Sequence, residues 1–408
     1  MIQAMFKRVA GLDVHLKTVV VTILMETEEG QIKETTKEFR TFAKDLESLA
    51  QWLKAEAIEL AVMESTGIYW KKPYSVLEEH GIKTFVVNAR HVKQVPGRKT
   101  DVKDSQWLAS LARFGLLKSS FIPEKLLREL RLLSHYRKKL TEILASEKNR
   151  IHKVLDEAGV RLHEVVTDIN SLSGQDIIAK LIEGEINEDL SKYLRGRAKT
   201  KKDLVKDAVD VKLSDNHRFT LQMIREHIKY LEKELAIIDD KIYKGIEPYN
   251  EQWQLLQTIP GINAIIAALI IIEIGVDMRR FGDREQFCSW AGMCPGNNES
   301  AGRKKSSKTR KGNKMLRTIL CEAAYAAVKT NSQFKGKYRG LVIRRGSKRA
   351  IVAIGHKILR VIHCVLNKHR PYFDPTISYE SLVTHKNAAR WMRSLKKFGY
   401  LPQYSVAV

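Results

Sequence analysis

Four carboxylates and one serine have the types and spacing best suited to chemistry. Asp13 closes an apolar run in GLDVH, Glu64 closes another in AVMESTGIYW, and Asp101 and Asp104 stand three residues apart in KTDVKD. The i, i+3 spacing sets the last two on one helical face. The same stripe continues through Leu108 and Leu111, so both aspartates are expected to turn towards a sheet. Crowded carboxylates repel unless one keeps its proton or a cation is shared between them. Two divalent ions about 3.5–4 Å apart remove that repulsion and serve phosphoryl transfer. Mg²⁺, or Mn²⁺ in its place, is the expected ion, because a hard cation is held by one or two carboxylates, water and substrate phosphate. Each residue also has a plainer role open to it. Asp101 can be an N-cap with Asp104 near N3, Glu64 can close a surface strand, and Asp13 can belong to a turn.

The serine is Ser300, in GNNESAGRKKSSKTRKGNK, residues 296–314. Arg303, Lys304, Lys305, Lys308, Arg310, Lys311, Lys314 and Arg317 follow it with no acid among them, a density that neutralises several phosphates. Gly296, Gly302 and Gly312 let backbone approach a ligand closely. A serine hydroxyl is a weak nucleophile until a base, a metal or a positive field activates it. No histidine is near in sequence, so activation would come from the basic residues or from the carboxylate site. The alternative is a solvated phosphate-binding loop in which Ser300 only donates a hydrogen bond, serine being common in turns.

The elements that must position these residues divide into parts. The first reads as α/β, with strands at Val9 to Asp13, Val19 to Leu24 and Ile32 to Phe39, and another through Ile58, Leu60 and Val62 that ends at Glu64. A helix from Tyr69 to His80, a strand from Thr84 to Val87 and a helix from Asp101 to Phe114 complete it. In the middle, Leu130, Leu133, Arg137, Leu140, Leu144, Glu147, Ile151 and Val154 follow the a/d rhythm of a coiled coil with two polar interruptions. Leu221, Ile224, Ile228, Leu231, Leu235, Ile238 and Ile242 repeat it without interruption, and the basic stretch around Lys192 to Lys212 reads as loop or short helices. Farther on, LQTIPGINAIIAALIIIEIG reads either as a helix-hairpin-helix offering N–H groups to phosphate or as an ordinary helical hairpin with a glycine cap. A basic amphipathic helix, Lys386 to Phe398, closes the chain. The expected domains are 1–118, 119–250, 251–370 and a tail, 371–408.

At 408 residues and 44% hydrophobic content the chain is expected to fold as two or three domains. A net charge of +24 and a pI near 9.7 point to a polyanion partner, nucleic acid first. No secretion signal is read at the N-terminus, and the most apolar run, Ala264 to Ile272, is too short to cross a bilayer, so a cytoplasmic protein is expected. Cys288, Cys294, Cys321 and Cys364 form no CxxC pair, which argues against a zinc ribbon despite His356 and His363; reduced, mostly buried thiols are expected.

GLDVHLKT, MESTGIYW, GRKTDVKDSQWLASL, EKNRIHKVL, TIPGINAIIAA and CSWAGMCPGNNESAGRKKSSKTRKGNKMLR occur in this order along nearly the whole chain. In them the chain resembles the DEDD transposases of bacterial insertion sequences, the "one-ten" family, which are related to pilin-gene DNA invertases and act as bridge-RNA-guided recombinases. The resemblance implies a RuvC-like, RNase H-type N-terminal domain whose metal-binding tetrad is Asp13, Glu64, Asp101 and Asp104. It implies a C-terminal transposase domain in which Ser300 attacks a DNA phosphodiester and forms a covalent phosphoserine link. It further implies an active site shared between protomers of a dimer that pairs into a tetramer, a structured non-coding RNA that selects donor and target DNA, and a nucleoid-associated bacterial protein. GNNESAG is Asn-rich where relatives vary, and Ser306 and Ser307 lie close to the assigned serine. Two other classes stay open at this stage: a metal-dependent nuclease of the Holliday-junction type, and a non-catalytic nucleic-acid scaffold.

Overall fold

The structure is a computed structural model that describes residues 4–65, 67–95, 103–184, 189–296, 298–300, 303–306, 309–374 and 376–400. Apolar runs rich in β-branched residues build the centre of its first sheet. Strands β1 (Arg8–Val14), β2 (Thr18–Glu26) and β3 (Ile32–Arg40) form an antiparallel meander, and β4 (Leu60–Glu64) and β5 (Thr84–Val87) extend it in parallel with β1. The order is β3-β2-β1-β4-β5. On β3 the sequence IKETTKEFR leaves mostly charged and hydroxyl side chains in solvent, which blunts an open sheet edge.

Each face of this sheet carries its own core. On one, Leu12, Val21, Ile23 and Met63 meet Leu46, Leu49 and Leu53 of α1 (Ala43–Ala55) and Val76 and Leu77 of α2 (Lys71–Glu79). On the other, Val9, Leu24, Leu60, Val62 and Val87 meet Leu108, Leu111 and Ala112 of α4 (Asp104–Arg113), which follows the short α3 (Ala89–Gln94). These elements form one compact unit, Met1–Lys125.

The second unit is Leu126–Val408. Its long helices, α5 (Lys125–Glu157) and α9 (Asp215–Gly245), bracket a small helical cap made of α6 (Leu162–Val165), α7 (Leu172–Glu183), α8 (Lys202–Val209) and 3₁₀ turns. Short helices thus occupy the basic stretch around Lys192 to Lys212. The cap has a core of its own around Ile169, Ile177, Leu181 and Leu194. The two polar interruptions in the heptad run of α5 both find partners on α9. Arg137 makes a two-pronged ion pair with Asp239, and Glu147 lies 3.5 Å from His227. Residue 137 therefore faces 239 while 147 faces 227, and the two helices run antiparallel.

Beyond them come α10 (Asn250–Gln257), α11 (Ala264–Ile274), α12 (Arg284–Trp290), the hairpin β6 (Asn298–Ser300) and β7 (Arg303–Ser306), α13 (Lys314–Ala327), α14 (Gln333–Arg345), α15 (Ser347–Lys368) and α16 (Thr376–Lys397). The α10–α11 turn contains a glycine whose smallness is used inside the fold. Gly261, at φ +88°, packs so tightly on α13 that a Cβ would stand 2.3 Å from the Ala323 carbonyl oxygen, so its smallness serves helix packing. Among the described residues α15 alone is long and apolar enough to cross a membrane, yet it is a core helix, with Ile354, Ile358, Leu359 and Ile362 fully buried. The cysteines are free thiols; Cys288 is buried and the other three are half-buried, less than expected. Burial pushes the Cys288 thiol up to about 12, which leaves it inert as a nucleophile.

Candidate active site

The parallel register of β1 and β4 pairs Leu12 with Met63, so Asp13 and Glu64 are the next residues along neighbouring strands. Side chains alternate along a strand, so Asp13 shares the face of Val9 and Gly11, and Glu64 that of Leu60 and Val62. This is the face covered by α4. The helix runs opposite to β1: the N–H groups of Met5 and Phe6 both donate to the Arg113 carbonyl at its end, whereas Gly11 packs under Ser105 near its start. The first turn of α4, with Asp104, therefore lies towards the Asp13 end of the sheet. A helix N-terminus there favours negative charge.

Gly11 makes that approach possible, since any Cβ on it would lie 2.0 Å from the Ser105 carbonyl oxygen. Below the contact, the fully buried Thr22 shares a hydrogen bond of 2.8 Å with Ser105 Oγ and another of 3.0 Å with Thr36. Asp104 itself is exposed, where a side chain turned away from water was expected, although Leu108 and Leu111, four and seven residues on, are buried. Within the described residues the helix begins at Asp104, and the buried position falls to Ser105, one residue on. Asp101 lies outside the described residues. His15, which sequence reading passed over, puts Nε2 3.0 Å from Asp13 Oδ2. Among the described residues no three His, Cys, Asp or Glu side chains gather as a metal-binding group. The donor chemistry of Asp13 and Glu64, hard carboxylate oxygens at adjacent strand ends, nonetheless suits a hard divalent ion.

Ser300 is the last residue of β6 and pairs with Arg303, the first of β7. Two residues connect them, so the serine stands beside the tip of a hairpin where sequence reading saw only a loop. Arg303, Lys304 and Lys305 lie on β7; Lys308 and Ser307 are outside the described residues; Arg310, Lys311 and Lys314 are exposed. The feet of the hairpin are joined by the Pro295–Thr309 bridge and by the Arg310 N–H, which donates to the Cys294 carbonyl. Gly292 and Gly312 touch backbone to backbone beside them.

Arg317, expected to bind phosphate, has a structural use. Its Nη2 donates to the carbonyls of Gly292 (3.0 Å) and Arg310 (2.9 Å), so it ties the two feet together. Glu273 was not foreseen at all. It is 2% exposed on the otherwise apolar α11, with His135 Nε2 3.2 Å away, Arg131 Nη2 3.4 Å away and the Asn313 amide donating to it. Burial alone would push its carboxyl up, but His135, Arg131 and Asn313 together outweigh this and hold it below the usual glutamate range. A lone acid in an apolar helix is the only sign of it in the sequence.

A family model described as a transposase, of the DEDD type named for IS110, matches residues 10–160. A second, described as "Transposase IS116/IS110/IS902 family", matches residues 253–339. Together they span more than half of the chain. The chain belongs to the IS110 transposase family. It is 25% identical, over 76% of its length and 78% of the relative, to the transposase for insertion sequence element IS1111A of Coxiella burnetii. It is 26% identical over 34% of its length to a putative transposase of Sinorhizobium fredii, covering 37% of that protein. It is 27% identical over 36% of its length to the pilin gene-inverting protein of Moraxella bovis, covering 48% of it. As an IS110-family transposase the chain is a DNA-acting enzyme. The first matched segment contains Asp13, Glu64 and Asp104, and the second contains Ser300 with Glu273, Asn313 and Arg317.

Proposed function

We propose that this transposase cuts and rejoins DNA at the ends of its insertion sequence and at the target through a covalent phosphoserine link made by Ser300. The observation that carries the reading is the place of Ser300: it ends one strand of a short basic hairpin, opposite Arg303, inside a segment shared with the family. Lysines and arginines along the hairpin would neutralise the attacked phosphate and draw the serine hydroxyl towards its ionised form. The phosphoserine bond would conserve the energy of the broken phosphodiester, so strands rejoin without a nucleotide cofactor.

Asp13, Glu64, Asp101 and Asp104 would hold Mg²⁺ or Mn²⁺, which supplies charge stabilisation at a phosphoryl oxygen when bound. The mixed sheet that sets Asp13 beside Glu64 supports a RuvC-like, RNase H-type domain. The net charge of +24 supports contact with two polyanions, DNA and a structured guide RNA that base-pairs with donor and target. The heptad stripes of α5 and α9 are used within the chain, but large apolar side chains left exposed on these helices, Leu132, Tyr136 and Ile143 on α5 and Phe219, Tyr230 and Ile237 on α9, support assembly into a dimer and then a tetramer.

A second reading has its own observation. The carboxylate-bearing unit has two cores of its own and contains no part of the hairpin, as would suit a metal-dependent endonuclease of the Holliday-junction type. Purified protein, Mg²⁺, candidate RNA and labelled element-end DNA, denatured and separated on a gel, distinguish the two. A protein–DNA adduct in wild type that is absent in Ser300→Ala is expected. Cleavage without an adduct in either protein assigns the enzyme to the hydrolytic class.

A further inference from the structure

We infer that Glu273 is a positioning residue for the serine hairpin, acting through Asn313; the inference rests on Ser300 being the nucleophile. A carboxylate buried among the isoleucines of α11 gives up its hydration, and an apolar side chain of similar volume is often equally stable at such a place. Its contacts explain its presence. On one side it meets Arg131 and His135 of α5, and Arg131 also donates to the carbonyls of Ile272 and Glu273. On the other it meets Asn313, the N-cap of α13.

The cap fixes which way Asn313 points. Its Oδ1 accepts the Leu316 N–H at 3.0 Å, so its amide group is left facing the Glu273 carboxylate. One residue earlier, Gly312 packs on Gly292, where a Cβ would stand 2.4 Å from the Gly292 nitrogen. One turn later, Arg317 holds both feet of the hairpin. The hairpin is thus attached to the first turn of α13, and that turn is attached through Glu273 to α5 and α11. Displacement of a reacting group by about 1 Å can cost a hundredfold in rate, so the family's serine needs such an anchor.

Three variants separate positioning from capping. Asn313→Ser keeps a good cap but is too short to reach Glu273. Asn313→Asp keeps the cap and sets carboxylate against carboxylate. Glu273→Gln/Asn313→Asp reverses the polarity of the pair, the Gln amide taking the Oε2 place and donating to Asp while its oxygen accepts from His135, and the new Asp carboxylate supplies the negative charge near Arg131. Each is measured for single-turnover adduct formation on element-end DNA, DNA affinity, melting temperature and amide hydrogen exchange across residues 294–310. Both single variants should lose roughly a hundredfold in rate and exchange faster across the hairpin, with DNA affinity near wild type and a lower melting temperature that leaves the protein folded under the assay conditions. The double variant should restore rate and exchange. Wild-type rate and exchange in Asn313→Asp, or losses that the double variant does not repair, would overturn the inference. If wild type itself forms no adduct, the serine reading fails instead, and the exchange measurement still decides whether Glu273 holds the hairpin.

Discussion

A Cβ built on Gly11 would lie 2.0 Å from the carbonyl oxygen of Ser105, and this contact sets how near the first turn of α4 comes to β1. Gly11→Ala should push the helix outward, and Asp104 with it. Overpacking of this kind costs about 1–3 kcal/mol. The expected outcome is a lower melting temperature together with a larger loss of Mg²⁺-dependent strand cleavage than the stability change explains. Cleavage at the wild-type rate would show that the approach of α4 does not matter to the carboxylate site.

Asp13 and Glu64 sit at neighbouring strand ends, so removing either should impair chemistry before it impairs folding. Asp13→Ala and Glu64→Ala are expected to lower cleavage about a thousandfold, the equivalent of several kcal/mol of lost transition-state stabilisation. RNA binding should persist. Filter binding and gel cleavage on the same preparations check both halves, and retained Mg²⁺-dependent cleavage would remove these residues from the site.

Lys304 and Lys305 lie on β7, next to Arg303. Their replacement by Ala should weaken DNA binding on all sequences and flatten its dependence on log salt by about 0.9 per lost contact. A change in sequence preference at constant slope would contradict a phosphate-binding role.

Glu273 gives a pH prediction whose sign follows from its depressed pKa. Its ionised form contributes stability above the ordinary glutamate value of about 4.3, and the contribution fades as pH falls through the lower folded value. At pH 5, Glu273→Gln should therefore melt below wild type by an amount equivalent to about 1.5–3 kcal/mol, the range for hydrogen bonds to a charged group. The gap should narrow only as the pH falls well below that ordinary value. Melting curves across that window decide it, and a gap that widens on acidification would mean that Glu273 is not held ionised.

The sheet was legible because Val19 to Leu24 and Leu60 to Val62 carry the apolar, β-branched pattern of buried strands. Helix α1 was hard to read, although Leu46, Leu49, Ala50 and Leu53 have helical spacing, because no capping side chain marks its start. The polar interruptions Arg137 and Glu147 were visible as interruptions, but their partners lie far along the chain and no local pattern names them. The β6–β7 hairpin escaped notice because NES and RKKS show no apolar alternation. Asp104 shares the stripe of the buried Leu108 and Leu111 yet is exposed, because it stands in the first turn of α4, and periodicity alone does not tell where along a stripe burial stops. Arg317 looked like its basic neighbours, and only the nearby carbonyls of Gly292 and Arg310 reveal its structural use.

The most direct test of the proposed chemistry is to find which side chain carries DNA. Wild-type protein is reacted with element-end DNA, RNA and Mg²⁺, digested with nuclease and protease, and the peptide spanning residues 296–310 is sequenced by mass spectrometry. A nucleotide remnant on Ser300, and none on Ser306 or Ser307, is the predicted result. A remnant on another residue, or cleaved DNA with no modified peptide, would contradict the account.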